Sequence, residues 1–259
     1  GMIIELAKEV GEELLKVKEE NCGYQFSPKV LRLFESGFIS RRATKEEIPQ
    51  VTPVAYLSFA PEYQCNLRCS YCFAEYGQKY EGNKRYFTGQ DIKKVIDVFI
   101  DELFPNVGQY RIDFVSGGEP LLRFDVVKEA ILYVETKTKE TNKKVTIWLC
   151  TNGILLNEEI CDFLNQHNVS IGISLDGKKE SNDKNRRDIL GKGTYDTIVD
   201  RIRFIQNNKN YSTKFRDIWC LCTATNDNCN FVDILEHFAD IDINNLQIRM
   251  IRDEKKYDV

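Results

Sequence analysis

From Val54 to Ile251 the sequence alternates six times between a short apolar run and an amphipathic stretch, and this alternation limits the fold more than any other feature. The apolar runs are Val54–Phe59, Tyr110–Val115, Val145–Cys150, Val169–Leu175, Ile218–Thr223 and Leu246–Ile251, rich in β-branched and aromatic residues as buried strands are. Helical stretches lie between them. They are Gln90–Leu103 behind Thr88 as N-cap, Phe124–Lys139, Asn157–Asn165 with Asn157 as cap, Thr194–Asn207 and Asn230–Ala239. Strands that alternate with helices form a parallel sheet with right-handed crossovers. Six such units are too few to close an eight-stranded barrel. The expected fold class is therefore α/β, a partial (β/α)6 TIM-like barrel.

Residues 1–52 read differently, as a short, mostly helical N-terminal extension. Ile3 to Glu20 is charged with apolar residues at helical spacing, a second short helix follows Pro28, and Pro49 and Pro53 bracket a linker. Residues 53–259 then form the core domain. Of the 259 residues, 42% are apolar and 29% charged, the balance of a globular chain. No apolar run is long enough to span a bilayer, so no membrane partner is expected. A net charge of −4 lacks the basic footprint of nucleic-acid binding, so no nucleic-acid partner is expected either.

Nine cysteines stand against two histidines. Without a secretory signal at the N-terminus, that many thiols predict a reducing, cytoplasmic setting. A metal held here would be held by thiolate, which favours zinc or iron–sulfur. Cys65, Cys69 and Cys72 lie in one loop just after the first strand, spaced C-x3-C-x2-C. That spacing aims three thiolates at a common centre. A [4Fe–4S] cube with one open iron, a zinc site with a distant fourth ligand, and unliganded thiols are the three readings.

Sites in βα folds collect beyond the C-terminal ends of the strands. Three further motifs fall there. Gly117-Gly118-Glu119-Pro120 ends the second strand, where glycine permits close approach and strained turns and Glu119 can accept from an ammonium. Thr151-Asn152-Gly153 ends the third. Ser174-Leu175-Asp176-Gly177 ends the fourth, offering Ser174 and Asp176 to a ribose hydroxyl or other polar ligand group. Arg186 follows in Asn182-Asp183-Lys184-Asn185-Arg186 and can pair with a carboxylate.

The cysteine loop, with Tyr71 directly before Cys72, resembles the signature of the radical S-adenosylmethionine (radical SAM) enzymes. The wording Cys72-Phe73-Ala74-Glu75, Gly118-Glu119-Pro120-Leu121, Ser174-Leu175-Asp176-Gly177 and Gly193-Thr194-Tyr195-Asp196 resembles the branch that modifies peptides and proteins, which includes anaerobic sulfatase-maturating enzymes. The resemblance covers about residues 54 to 251. It implies a [4Fe–4S] cluster on Cys65, Cys69 and Cys72. It implies S-adenosylmethionine bound by Tyr71, Gly117, Gly118, Glu119, Pro120, Asn152, Ser174, Asp176 and Arg186. It further implies hydrogen abstraction from a peptide or protein, with a flavodoxin- or ferredoxin-like reductant. The alternatives are a small-molecule enzyme like the molybdopterin-precursor synthases, and an iron–sulfur electron carrier or structural-metal protein. Two departures stand out. Asn182 occupies the position of a family histidine, and the branch's cysteine-rich auxiliary-cluster extension is absent from residues 53–259. The pattern identifies no catalytic base or radical relay.

Overall fold

The computed structural model describes residues 54–74, 88–115, 117–226 and 228–251. The helices expected before Pro49, Cys22 and the Pro53 boundary lie outside them. Six parallel strands form one sheet in sequence order: β1 (Val54–Phe59), β2 (Gln109–Phe114), β3 (Lys144–Thr151), β4 (Ser170–Ser174), β5 (Trp219–Ala224) and β6 (Asn245–Met250). Each boundary lies within one residue of the apolar run that predicts it. The register places Ser58 beside Asp113, Asp113 beside Trp148 and Trp148 beside Ser170. Six consecutive parallel strands with their crossover helices make the open half of a barrel.

The helices are α1 (Gly89–Asp97), continued by a π-helical turn Val98–Leu103, then α2 (Phe124–Thr141), α3 (Glu158–Gln166), α4 (Lys179–Asn185), α5 (Tyr195–Asn207), α6 (Thr213–Arg216) and α7 (Phe231–Asp240). Local chemistry starts them where expected. Thr88 and Asp91 form a reciprocal capping box on α1, and Asn157 Oδ1 accepts from the Ile160 amide at 2.9 Å on α3. The sequence pattern does not predict the short helix α4, because Lys-Glu-Ser-Asn-Asp-Lys-Asn carries no apolar period. It forms because Asn182 and Asn185 are buried in polar contacts that only the tertiary structure supplies.

Alternation along the strands separates two faces. Tyr110, Ile112, Phe114, Leu149, Ile173 and Cys220 face the helices and pack with Ile96, Ile131, Leu164, Ile202 and Phe238 in one apolar core. The alternate residues Tyr56, Arg111, Asp113, Trp148, Cys150 and Trp219 line the concave face. Cys161, Cys220 and Cys222 are buried in the core as packing residues, and no helix among the described residues is long and apolar enough to cross a membrane. Leu149 sits at the centre of β3 with no exposed surface. Leu149→Ala is expected to destabilise the fold by about 2–5 kcal/mol through lost burial and the cavity left behind. Urea unfolding would show it as a lower midpoint at an unchanged slope, and an unchanged midpoint would contradict this core assignment.

Candidate active site

The cysteine loop, residues 62–72, lies across the C-terminal ends of the sheet and is docked on three sides. The first is the Gly117–Gly118 turn. Gly117 has φ +90°, a left-handed conformation that glycine adopts freely. A side chain on Gly118 would fall under 3.0 Å from main-chain atoms of Glu62, Tyr63 and Gln64. The space that glycine opens here is therefore filled by the cysteine loop itself. The Glu119 amide adds a 2.9 Å hydrogen bond to the Gln64 carbonyl.

The second contact runs through the third strand. Glu119 is 1% exposed, and its carboxylate accepts from Thr151 Oγ1 at 2.7 Å, the Asn152 amide at 2.8 Å and the Leu121 amide at 3.1 Å. Burial raises its pKa while these donors oppose the rise. Pro120, buried, begins the 3₁₀ turn Pro120–Arg123 that Glu119 caps. Asn152 then reaches into the loop. Its Nδ2 donates to Asn66 Oδ1 at 2.7 Å and to Cys65 Sγ at 3.7 Å. The Leu67 amide also points at Cys65 Sγ, at 3.4 Å.

The third contact is with the last residue of α4 and the segment after it. Arg68 N donates to the Arg187 carbonyl at 2.7 Å and Ser70 N to the Asn185 carbonyl at 2.9 Å, while Ser70 Oγ donates to Asn185 Oδ1 at 2.6 Å. Beneath them the half-buried Tyr71 forms a triad with the buried Asp176 and Arg186. The Tyr71 hydroxyl donates to Asp176 Oδ2 and accepts from Arg186 Nη1 at 2.7 Å, with Arg186 4.0 Å from Asp176 Oδ1. The Thr223 amide donates to Asp176 Oδ1 at 2.9 Å, which ties the triad to β5. Burial raises the Tyr71 hydroxyl well above its usual range and raises Asp176 against the pull of Arg186. Burial would lower Arg186, but Tyr71, Cys69 and Asp176 around it outweigh burial and hold it charged.

Every residue proposed from the sequence thus stands at the ends of β1 to β4 or on the segment behind them. Glu119, Asn152 and Cys65 form one connected group; Tyr71, Asp176 and Arg186 form another. Ser174 is half-buried at the end of β4 and makes no side-chain hydrogen bond to another described residue. The carboxylates of Glu119 and Asp176 are turned into the protein, and Arg186, at 6% exposure, is no surface residue. Asn66 and Asn228, which sequence reasoning did not single out, complete the site together with Thr151 and Asn182. Asn66 and Thr151 connect the groups, and Asn228 Nδ2 donates to the Asp176 carbonyl at 3.1 Å. Asn182 Oδ1 accepts from the Asp176 amide at 3.3 Å, and its Nδ2 donates to Thr194 Oγ1 at 3.2 Å. The asparagine standing where the pattern has a histidine is therefore a buried structural link.

The donor set suits an iron–sulfur cube. Cys65, Cys69 and Cys72 are free, half-buried thiols in one loop, and amide donors already face Cys65 Sγ. Burial pushes the Cys69 thiol up to about 11, with Arg186 opposing it, so a metal must displace a proton there. Among the described residues no three His, Cys, Asp or Glu side chains converge on a single-ion site. Arg186 Nε is buried without a hydrogen-bond partner among the described residues, a donor left over beside the cysteine loop. Those three thiols could hold a cluster, and Arg186 with Ser174 and Asn152 could hold an anionic or polar ligand on it.

The family model of the Radical SAM superfamily matches residues 62–216, from the start of the cysteine loop to the end of α6. The chain belongs to the radical SAM superfamily. Its cofactors are a [4Fe–4S] cluster and S-adenosylmethionine. A cysteine-type anaerobic sulfatase-maturating enzyme of Clostridium perfringens is 28% identical over 75% of this chain and 51% of its own length. A GTP 3',8-cyclase of Helicobacter pylori is 25% identical over 76% of this chain and 55% of its own. The chain thus spans about half the length of the curated relatives it matches. A solved structure of native anSMEcpe with bound AdoMet and Cp18Cys peptide superposes with a TM-score of 0.65 over 78% of this chain and 52% of that one, at 24% identity, a likeness of fold.

A radical SAM core built this way depends on the cysteine loop meeting the Gly118 turn main chain to main chain. Gly118→Ala is expected to lift the loop off that turn. Iron and sulfide retained after anaerobic reconstitution should fall to less than half the wild-type content, with a lower thermal midpoint. Wild-type iron content in the variant would show that the contact does not hold the loop.

Proposed function

We propose that this chain is the radical-generating core of an enzyme that abstracts hydrogen from a peptide or protein. The observation that carries the reading is that one loop with three free thiols, the buried Arg186 and the Glu119–Asn152 link stand together at the open ends of β1 to β4. An electron carrier needs a closed four-ligand site and has no use for the polar groups at the other strand ends. In this reading Cys65, Cys69 and Cys72 hold the cluster, with one iron left to the cofactor. When bound, the cluster and S-adenosylmethionine supply a carbon-centred radical; the protein supplies position, field and shelter from water.

Each group of this chain has a part. Asn152 and the Leu67 amide donate to the Cys65 thiolate and orient it. Glu119, pinned by Thr151 and the Asn152 amide, fixes the turn that carries Gly117 and Pro120 and retains acceptor capacity on Oε2 for the cofactor's ammonium. Arg186 places a fixed positive charge beside Cys69 and offers its spare Nε to the cofactor's carboxylate. Tyr71 and Asp176 keep that guanidinium in place, and Ser174 presents its hydroxyl to the cofactor. A flavodoxin- or ferredoxin-like protein delivers the electron.

Two kinds of relative bear on the substrate. The sulfatase-maturating relative and the peptide-bound solved neighbour support a peptide or protein. The cyclase relative supports a small-molecule substrate. The experiment begins with the reconstituted protein. Replacing Cys65, Cys69 and Cys72 by Ala is expected to abolish both the EPR signal of a reduced [4Fe–4S] cluster and the release of 5′-deoxyadenosine. Retention of either in the triple variant refutes the site. Deuterium carried into 5′-deoxyadenosine from a deuterated Cys- or Ser-containing peptide is the outcome expected of a peptide enzyme. Transfer from deuterated GTP alone would favour the second reading.

A further inference from the structure

The concave face below the cysteine loop carries a second organised group. Arg111 and Asp113 project from β2 on the same side, and the guanidinium grips the carboxylate twice, Nε to Oδ1 and Nη2 to Oδ2, each at 2.8 Å. Asp113 is nearly fully buried and also accepts from the Tyr56 hydroxyl at 3.1 Å. The guanidinium carbon lies 4.4 Å from the Trp148 ring centroid and 5.7 Å from that of Tyr56, on the two flanking strands. Trp148 meets Trp219 edge-to-face at 5.2 Å. They meet across β4 because it presents only Ser170 and Gly172 between them.

This arrangement leaves one end of the guanidinium free. Arg111 Nη1 has no partner among the described residues, and the side chain is 40% exposed. Its two N–H groups are directional donors, held in place by Asp113 and an aromatic wall. Their charge is already balanced by the carboxylate. A second carboxylate brought to them would meet Asp113 as a like charge, whereas a neutral carbonyl oxygen takes the hydrogen bonds without that repulsion.

Arg111 lies three residues before the end of β2, about 10 Å below the strand ends at roughly 3.3 Å per residue. An extended peptide spans nearly the same distance in about three residues. We propose that Arg111 is a specificity-determining residue that binds a main-chain carbonyl of a peptide substrate, about three residues from the reacting residue, with an apolar side chain laid on Trp148 and Trp219. This rests on the peptide reading above and adds to it a fixed anchor and a preference for uncharged groups.

The chain contains only two tryptophans, and both are in this group, so all indole emission comes from the proposed subsite. The probes are blocked heptapeptides with a central Cys or Ser and one apolar residue three positions to either side. They are added to the reconstituted protein with S-adenosylmethionine. Saturable change in indole emission is expected, and Arg111→Lys should weaken it at least tenfold because a single ammonium cannot hold Asp113 and the carbonyl together. Acetate at matched ionic strength should not compete in the wild type. It should compete in Asp113→Asn, where the guanidinium is left unbalanced.

Peptides retained in equilibrium dialysis without an emission change, or equally by Arg111→Lys, would overturn the anchor while leaving the peptide reading intact. Acetate competing equally with wild type and Asp113→Asn would overturn the charge argument and with it the proposal. Peptides that do not bind by either measurement would overturn both this anchor and the peptide reading.

Discussion

The main-chain contact between Gly118 and residues 62–64 is the point on which the site depends. The loop that carries Cys65, Cys69 and Cys72 has no strand or helix of its own. Its position is inherited from what it touches. Gly118 permits main chain to approach main chain, and the next residue, Glu119, fastens the same turn to β3 through Thr151 and the Asn152 amide. Asn152 then returns to the loop at Asn66 and Cys65. A path of short hydrogen bonds therefore closes on itself, from β2 to β3 to the loop and back. Any cluster bound to the loop takes its position relative to the sheet from that closed path.

The Tyr71–Asp176–Arg186 triad holds the other end of the loop at a different energetic cost. Burying a carboxylate and a guanidinium loses several kcal/mol of hydration for each ion, and mutual attraction offsets this only when remaining lone pairs and protons are satisfied. Asp176 meets that condition: the Tyr71 hydroxyl and the Thr223 amide supply donors and Arg186 the charge. Arg186 does not, since its Nε is left over. Arg201 Nε and Arg216 Nε are left over in the same way elsewhere, so what distinguishes Arg186 is its place beside the cysteine loop and the Tyr71–Asp176 pair that holds it.

Much of the fold was legible in the sequence because strand and helix periods are local. The six apolar runs, Thr88 and Asn157 need only their neighbours to be understood. The ends of β1 to β4 were legible as an address for chemistry for the same reason. Direction was not. Glu119 and Asp176 read as groups for a ligand, yet both carboxylates spend most of their capacity on the protein, because their partners Thr151, Thr223 and Tyr71 come from other strands and loops. Asn182 read only as the replacement of a family histidine and Asn228 was silent, since a buried asparagine looks like any loop asparagine until its partners are known. The polar helix Lys179–Asn185 was missed because its stability is tertiary and its sequence has no apolar stripe.

The concave face shows what such long-range placement adds. Tyr56, Arg111 and Trp148 are far apart in sequence, and each alone is an ordinary strand residue. The register of three parallel strands stacks them, and Ser170 and Gly172 on β4 leave room for Trp148 to reach Trp219. A flexible arginine would lose rotamer freedom on binding a substrate. Here Asp113 and the two flanking rings have already removed that freedom in folding, so the free N–H groups are preorganised for whatever carbonyl enters. The rim and the floor are therefore built on opposite principles. At the rim a buried charge is left with a donor to spare beside the cysteines, and on the floor a charge is balanced so that only its direction remains. On the reading proposed above, a reactive radical uses both, a cofactor held by charge above and a substrate aligned by shape and hydrogen bonding below, because alignment decides which hydrogen is taken.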